Sequence, residues 1–352
     1  MGQEHLRNLA LIPHSAVTAI FEPDAGMRQQ AASLAPQAHF CDSLESLLRR
    51  DDIDVLLITS PNHCHAEQLR YIADTRPLPV LCEKPLYTDP QDSQLISRLI
   101  TEYPAPFWVG MEYRFMPPVA ALIEKAEEFC GGISMLSVTE HRFPFLPKVG
   151  NWNRFNRNSG GTFVEKCCHF FDLMRHILNA EAVRVMASAG QAHNHKTERY
   201  DGEIPDIWDH GYVVIEFENH SRAMLELCMF AEGAAYQETI SALGPKGKAE
   251  AFVPGAARFW DDDLAEIPRP KLELSPRERN RIEVQYCDID QQLILAGDHA
   301  GSTYFQHLAF LQMLKDNTQP QVSLSDGMKA VKIGQAAQIS ATEHRIVQLD
   351  EL

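Results

Sequence analysis

The sequence has 352 residues and eight cysteines, but it contains no Cys-x-x-Cys pair. That absence argues against a zinc knuckle and against a redox dithiol, since both need two closely spaced thiols. Cys167 and Cys168 are adjacent, which suits neither an ordinary disulfide nor a common metal spacing. We therefore expect reduced thiols in a cytoplasmic protein.

Long apolar runs and excess positive charge are also lacking. No run approaches the roughly 20 residues needed to span a bilayer. The 32 Lys and Arg residues against 48 Asp and Glu residues give a net charge of −16. An acidic protein repels nucleic-acid phosphates and anionic lipids, so we expect neither as a partner. With 45% hydrophobic and 23% charged residues, the composition is typical of a soluble globular protein.

The chain up to residue 118 alternates between segments that favour strands and segments that favour helices. The predicted strands are 17–21, 54–59, the segment at residue 80 and 106–110. The predicted helices are 24–35, 64–74 and 89–102. Such alternation is typical of a parallel sheet with right-handed crossovers. We therefore predict an α/β domain over residues 1–118.

The pattern changes after Pro117 and Pro118. The strands predicted beyond this point are 133–140, 182–189, 212–218, 222–230 and 238–242. The helices predicted beyond it are 119–129, 162–178, 302–315 and 326–344. Alternating strands joined by hairpin-like breaks indicate an antiparallel sheet. We predict that residues 119–352 form an α+β domain with a mainly antiparallel open sheet and helices on one face.

The most informative segment is Leu78–Leu86, which places Lys84 directly after a short apolar run. Ligands bind at the carboxyl ends of parallel strands. Pro85 has a fixed φ and no N–H, so it ends the strand and restricts Lys84 to an extended backbone. We predict that Lys84 points over a cleft and exchanges protons with a substrate hydroxyl. The alternative is a surface Glu83–Lys84 pair that only ends a strand.

The helix predicted over 162–178 carries a titratable stripe formed by Glu165, His169, Asp172 and His176. Neighbours at this spacing come within reach of each other on a helix. The stripe is either a solvated polar face or a cleft face on which the glutamate orients or charges the histidine beside the lysine. A metal site that joins the histidine to the two preceding cysteines is a third interpretation. The two thiols diverge on a helix, so we predict no metal.

Three motifs together resemble the Gfo/Idh/MocA oxidoreductases, a family named for glucose–fructose oxidoreductase, inositol dehydrogenase and a rhizopine-catabolism enzyme. The motifs are Thr59-Ser60-Pro61-Asn62 with His65, Glu83-Lys84-Pro85, and Gly160-Gly161 followed by Glu165, His169 and Asp172. Each motif is weak alone, but their order and spacing are specific. The resemblance extends over nearly the whole chain.

The resemblance implies a Rossmann-like N-terminal domain that binds NAD(P), and a reaction on a carbinol of a sugar, cyclitol or related polyol. Lys84 is implied as the catalytic lysine and His169 as its partner. Glu165 stands where the family often has aspartate. The family also implies homo-oligomerisation through the exposed face of the C-terminal sheet.

Further residues are predicted to surround the cofactor and the substrate. The cofactor contacts implied by the resemblance are Ser60, Pro61, Asn62, His65 and Glu83. We add Arg114, Trp152 and Arg154 as candidates for contact with the polyol. Their alternative role is at an ordinary surface or domain interface.

The start of the chain departs from a dinucleotide-binding domain. Such a domain opens with an apolar strand and then Gly-x-Gly-x-x-Gly before its first helix, whereas Gly2 resembles only the third glycine of that motif. Glu22 follows 20 residues later, where an acid holds the adenosine ribose hydroxyls. We therefore predict NAD as cofactor in preference to NADP. We also predict that the first, central strand is missing beside 17–21 and 54–59.

Two explanations of this start remain open. Either the first residue is an internal methionine of a longer protein, or the shortened chain is real and binds the cofactor poorly. The first explanation leaves an NAD-linked polyol dehydrogenase. The second also permits a different class of protein, a non-catalytic polyol-binding or scaffolding homologue with impaired cofactor binding.

Overall fold

The computed structural model describes residues 1–260, 268–278 and 281–352. In this part of the chain the helices are α1 (Gly2–Leu9), α2 (Ala25–Leu34), α3 (Leu44–Leu48), α4 (His65–Thr75), α5 (Ser93–Glu102), α6 (Pro117–Cys130), α7 (Asn156–Ser159), α8 (Thr162–Glu165), α9 (Cys168–Leu178), α10 (Gln291–Ala296), α11 (Ser302–Asp316) and α12 (Leu324–Glu343). The strands are β1 (Ala19–Phe21), β2 (His39–Cys41), β3 (Leu56–Ile58), β4 (Val80–Glu83), β5 (Phe107–Gly110), β6 (Met135–His141), β7 (Ala182–Gly190), β8 (His210–Phe217), β9 (Arg222–Cys228), β10 (Glu238–Leu243), β11 (Gly247–Val253), β12 (Lys271–Pro276), β13 (Glu283–Tyr286) and β14 (Val347–Gln348).

The N-terminal strands are parallel, as predicted, but they lie in two sheets. β1 pairs with β2, and β3, β4 and β5 form the second sheet in that order. Within the described residues no ladder joins β1 to β3. The interruption lies where the sequence predicts a missing central strand. β2 was not predicted, because three residues are too short to show a clear alternation of apolar and polar side chains.

The C-terminal sheet is mainly antiparallel, which confirms the predicted fold class. Its strand order across the described residues is β13-β12-β11-β10-β6-β9-β8-β7-β14, and only the β6–β9 pair is parallel. The sequence analysis missed β11, β12, β13 and the two-residue β14. β12 nevertheless carries a usable signal, because Leu272 and Leu274 alternate with charged residues and are the buried side chains of the strand.

Three helices, α6, α9 and α12, pack on the C-terminal sheet. α6 begins at Pro117 and Pro118, whose missing N–H groups are tolerated in a first helical turn. It ends at Gly131, which adopts a left-handed φ of 71°. α12 begins with a capping box in which Ser323 and Asp326 each bond the backbone N–H of the other. Local sequence chemistry therefore fixes these helix ends.

The last helices return to the N-terminal domain. Phe310 and Met313 of α11 and Val331 of α12 lie in the same core cluster as the strands β3, β4 and β5. The predicted domain boundary lies between residues 118 and 119. Several side chains beyond that boundary nevertheless pack in the core of the N-terminal domain. No helix in the described residues is long and apolar enough to cross a lipid bilayer.

The prediction of one helix over 162–178 is wrong, because α8 ends at Glu165 and α9 starts at Cys168. The amides of Phe170 and Phe171 both bond the carbonyl oxygen of Cys167, which starts a new helix there. The interruption leaves the carbonyl oxygen of Glu165 outside the helical bonding pattern. That oxygen accepts a hydrogen bond from Lys84 Nζ instead, at 2.9 Å.

A buried ion pair joins the two domains and predicts a large stability effect. Arg114 bonds both carboxylate oxygens of Asp172 at 2.6 Å, and both side chains are buried. Arg114→Met leaves this carboxylate buried without its partner, so we expect the free energy of unfolding to fall by about 3–5 kcal/mol. Chemical denaturation measures the change.

The matched control removes an arginine from an exposed pair. Arg49 bonds Glu45 on the surface of α3, and Arg49→Met should change the free energy of unfolding by less than about 1 kcal/mol. Equal losses in the two variants would contradict the role of the buried pair.

Candidate active site

Lys84 follows the completely buried strand β4 and extends toward the second domain. Its side chain is half-buried, and the hydrogen bond from Nζ to the Glu165 carbonyl fixes its direction toward α8. The Lys84–Pro85 peptide bond is cis. The structure therefore brings together Lys84 and Glu165, two of the three predicted catalytic residues, through a backbone contact. Their positions in the sequence do not indicate this contact.

Glu165 and His169 are buried beside this lysine, with exposed fractions of 7% and 2%. In the described residues, Glu165 Oε2 and His169 Nδ1 have no hydrogen-bond partner. The predicted contact between Glu165 and His169 is therefore not formed. The break between α8 and α9 disrupts the i, i+4 geometry that the contact needs. Buried polar atoms are nearly always hydrogen-bonded, so these two atoms suit a hydroxyl-bearing ligand.

The electrostatics of the cleft favour a neutral histidine. Burial lowers the pKa of His169 well below its usual value, and the nearby Lys84 and Lys166 lower it further. Burial raises the pKa of Glu165, although Lys84 and Lys148 oppose that shift. The imidazole is therefore neutral near pH 7 and able to accept a proton or a hydrogen bond.

Gly2, at the start of α1, packs against the residue that follows β3. A Cβ atom on Gly2 would lie 3.0 Å from Thr59 Oγ1, closer than ordinary van der Waals contact. Glycine therefore lets α1 pack closely on the end of β3. Asn62, in the turn that follows Pro61, is 6% exposed, and its Nδ2 has no partner in the described residues. This amide is available as a donor to a ligand.

The two other polar residues of this loop hold the loop itself. Ser60 Oγ donates to Gln68 Oε1 at 2.6 Å. His65 is fully buried between two carbonyl oxygens, with Nδ1 2.8 Å from Pro85 O and Nε2 3.0 Å from Ser60 O. His65 therefore joins this loop to the segment after Lys84. Both of its ring nitrogens are used in these bonds, so the predicted contact with the cofactor is corrected to a structural role.

Glu83 is tied to α1 by residues that the sequence analysis did not single out. His5 Nε2 donates to Glu83 Oε1 at 2.9 Å, and His5 Nδ1 lies 2.8 Å from His307 Nε2. Burial disfavours ionisation of Glu83, but the His5 hydrogen bond holds the pKa of its carboxyl below the usual value. The second oxygen, Oε2, has no partner in the described residues. His5 and His307 are 302 positions apart, so no local pattern indicates this contact.

A second buried cluster connects α1 to α11. Glu4 Oε1 accepts from His299 Nδ1 at 2.9 Å and from Thr303 Oγ1 at 3.2 Å. Glu112 Oε1 lies 3.6 Å from the same nitrogen of His299. Burial opposes the charged imidazole, yet these two carboxylates raise the pKa of His299 to about 9. Burial likewise opposes ionisation of Glu4, but His299 lowers the pKa of that carboxyl to about 2.

The two arginines predicted to contact a polyol are engaged elsewhere. Arg114 is bonded to Asp172, and Arg154, 2% exposed, bonds Glu198 Oε2 at 2.9 Å. Both are corrected to structural ion pairs, since each guanidinium group already bonds a carboxylate, the buried Asp172 for Arg114 and the half-buried Glu198 for Arg154. Trp152 is half-buried, and its ring meets that of His63 edge-on at 6.2 Å between centroids. It therefore reaches from the C-terminal domain to the loop that contains Asn62.

Glu22 lies just beyond β1, as predicted, and is half-buried. Its Oε1 accepts a hydrogen bond from the amide of Asp24 at 2.8 Å, which fixes the carboxylate next to the start of α2. Arg28 points away toward β2 and donates to the carbonyl of Phe40 at 3.3 Å. In the described parts of the chain, no group of three or more His, Cys, Asp or Glu side chains is arranged to hold a metal ion.

Comparison with known proteins agrees with this architecture. The family model described as "Oxidoreductase family, NAD-binding Rossmann fold" matches residues 1–111, and the one described as "Oxidoreductase family, C-terminal alpha/beta domain" matches residues 127–349. Together with the fold, they define a two-domain oxidoreductase whose first domain has an NAD-binding fold. The chain belongs to the Gfo/Idh/MocA oxidoreductase family.

Individual relatives are distant but cover almost the full length. The uncharacterized oxidoreductase YrbE of Bacillus subtilis is 24% identical, over 97% of this chain and 91% of that protein. The myo-inositol 2-dehydrogenase of Thermotoga maritima is 25% identical, over 100% of this chain and 96% of that protein. The structure of levoglucosan dehydrogenase with NADH and levoglucosan has a TM-score of 0.79 and 19% identity, covering 99% of this chain and 96% of that one. This last likeness shows the fold alone.

The Glu4–His299 pair predicts how stability depends on pH. The pKa of His299 is about 9 in the folded protein, above the value of about 6.5 for an unfolded imidazole. The pair therefore contributes stability that is fully present below about pH 6.5 and is lost as pH rises through the folded pKa. Denaturation between about pH 6 and pH 10 should show a steeper loss for the native sequence than for His299→Asn.

The matched control is His14→Asn, since His14 is an exposed histidine on the surface. This variant should follow the pH dependence of the native sequence. A His299→Asn protein whose stability falls as steeply as the native one would contradict the elevated pKa.

Proposed function

We propose that this protein is an NAD-linked dehydrogenase that interconverts a carbinol and a ketone on a sugar, cyclitol or related polyol. The observation that carries the proposal is that Lys84, at the carboxyl end of β4, bonds the backbone of Glu165, whose Oε2 atom, like His169 Nδ1, has no hydrogen-bond partner among the residues that the structure describes. Myo-inositol 2-dehydrogenase, a full-length relative, supports a polyol as substrate.

The residues of the first domain fit the cofactor. The N-terminus of α1 presents free backbone N–H groups, which bind phosphate well, and Gly2 keeps that helix end close to Thr59. Glu22 stands where it would accept bonds from ribose hydroxyls, and Asn62 Nδ2 would donate on the nicotinamide side. When bound, the nicotinamide ring supplies the hydride chemistry that amino-acid side chains lack.

The second-domain residues, with Lys84, handle the proton and the orientation of the substrate. Lys84 Nζ bonds the reacting hydroxyl oxygen and exchanges its proton. His169, neutral near pH 7, takes up that proton at Nδ1 or relays it. Glu165 Oε2 accepts a hydrogen bond from a neighbouring hydroxyl, which fixes the carbon that reacts.

We further propose a cytoplasmic homo-oligomer that associates through the outer face of the C-terminal sheet. All eight cysteines are free thiols, as expected for a reducing compartment. The outer face exposes large apolar side chains of β6, β7 and β8, namely Met135, Met186 and Tyr212, which are 52–59% exposed. Apolar patches of this kind are typical of protein interfaces.

Lys84→Met tests the proton-transfer role directly. The side chain keeps a similar length but loses the ammonium group, so we expect turnover to fall by about two to four orders of magnitude. The measurement is NADH formation with a panel of polyols that includes myo-inositol. Circular dichroism and chemical denaturation check that the variant is folded.

Lys315→Met, at the exposed end of α11, is the matched control and should retain normal turnover. Near-normal turnover by Lys84→Met would contradict the proposed role of the lysine in proton transfer. Polyol binding by the native sequence without any NAD-dependent turnover would favour the non-catalytic alternative.

Glu22 predicts the choice of cofactor. Its carboxylate would repel the 2′-phosphate of NADP, whereas the nearby Arg28, which donates to the carbonyl of Phe40, would soften that preference if it turned toward the phosphate. Glu22→Ser should reduce the ratio of NAD to NADP catalytic efficiency by about tenfold. The ratio of kcat/KM for the two cofactors is the readout, with Glu45→Ser on α3 as an exposed-acid control. A native preference for NADP would contradict the assignment.

A further inference from the structure

Lys166 is a buried lysine directly behind the candidate active site. The residue is 4% exposed, and its Nζ lies 2.5 Å from Tyr113 Oη and 2.7 Å from Glu140 Oε1. The Tyr113 ring stacks on the imidazole of His169, with centroids 4.0 Å apart and planes 8° apart. The lysine therefore reaches the histidine through one aromatic ring.

Lys166 belongs to a charged cluster that spans two strands. Glu140 on β6 and Glu238 on β10 are register partners, and they are 0% and 1% exposed. Arg142 Nη1 lies 3.4 Å from the same Glu140 oxygen that bonds Lys166. Removing charges from water is unfavourable, and apolar side chains of similar volume often stabilise a core equally well. A contribution to stability alone therefore explains the presence of these buried charges poorly.

The position of Tyr113 suggests what the cluster does. Its phenol oxygen accepts the hydrogen bond from Lys166, while the face of its ring covers the imidazole. The ammonium also lies 4.8 Å from the centroid of that ring. A cation bonded to the phenol oxygen draws electron density from the ring, which weakens any attraction of the ring for a second cation. A protonated His169 is therefore disfavoured in the stack.

We propose that Lys166 is a positioning residue for His169, acting through Tyr113 to hold the imidazole in one plane and to keep it in its neutral form. The inference rests on the proposed dehydrogenase function, because it assigns His169 the role of proton acceptor. Lys166 does not contact the reacting atoms in this arrangement.

The acidic groups around the lysine favour its charged form, although its surroundings as a whole lower the pKa of Lys166. Burial lowers the pKa of Lys166, and Arg142 lowers it further, while Glu140 and Glu238 raise it. Burial and the facing Glu140 raise the pKa of Glu238 to about 7. The cluster therefore gains one negative charge near neutral pH. Because Glu238 ionises near neutral pH, the titration of His169 should be compared between the native protein and variants of the cluster over the same pH range.

The test measures the pH at which the His169 imidazole becomes protonated. In protein labelled with 13C-histidine, the His169 signal is assigned by its loss in His169→Gln and is then titrated by NMR. Lys166→Met removes the cation, so the midpoint of the His169 titration should rise by about one pH unit. The acidic limb of the kcat/KM profile should move in the same direction. Lys166→Arg restores the charge and should restore most of the native midpoint.

Further variants keep the test decisive if Lys166→Met does not fold. The double variant Lys166→Met with Glu140→Gln removes the lysine together with its buried counter-charge, and it should show the same upward movement. Tyr113→Phe retains the stack but loses the lysine bond, so a smaller rise is expected. Lys315→Met is the surface control and should leave the His169 titration unchanged.

The outcomes separate this inference from the proposed function. An unchanged His169 midpoint in the folded Lys166 variants overturns the positioning role, even if polyol oxidation is observed. A raised midpoint that returns in Lys166→Arg supports it, even if none of the polyols in the panel is a substrate. Loss of turnover with no change in either midpoint or pH profile would assign Lys166 a merely structural role and contradict the inference.

Discussion

The hydrogen bond from Lys84 Nζ to the backbone carbonyl of Glu165 is the contact on which the arrangement of the site depends. It exists because the chain does not continue helically from α8 into α9, which leaves that carbonyl without a helical partner. A continuous helix would engage the carbonyl with the amide of His169. The same interruption releases the carboxylate of Glu165 and the imidazole of His169 from each other, so both are available to a ligand.

Buried charges hold the surrounding elements in place. Glu83 is bonded by His5 of α1, Glu4 by His299, and Arg114 by Asp172. Each contact joins segments that are distant in sequence, and each would leave an unpaired buried charge if one partner were removed. The candidate site therefore lies between two domains that are joined by polar contacts as well as by the shared packing of α11 and α12. Within the described residues, Asn62 Nδ2, Glu165 Oε2 and His169 Nδ1 are among the buried atoms without partners, and they are the ones we expect to face a nicotinamide and a polyol.

The fold class and the position of Lys84 could be predicted from the sequence because they rest on local signals. β4 is a short apolar run ended by Pro85, and alternation of strands and helices indicates a parallel sheet. The break after Glu165 could not be predicted, because the 162–178 segment shows uninterrupted helical periodicity. The roles of His5, His299 and Lys166 depend on contacts between distant segments. The prediction for Arg114 and Arg154 was wrong because a sequence does not show whether an arginine already has a carboxylate partner.

The central claim is that a polyol carbinol binds between Lys84 and His169. The most direct measurement is a crystal structure of the protein with NADH and the polyol that gives the highest turnover, a combination that binds but does not react. We predict one hydroxyl oxygen within hydrogen-bond distance of Lys84 Nζ and of the His169 imidazole, and a neighbouring hydroxyl donating to the Glu165 carboxylate. A polyol bound away from Lys84, with this lysine still bonded only to the Glu165 carbonyl, would contradict the account.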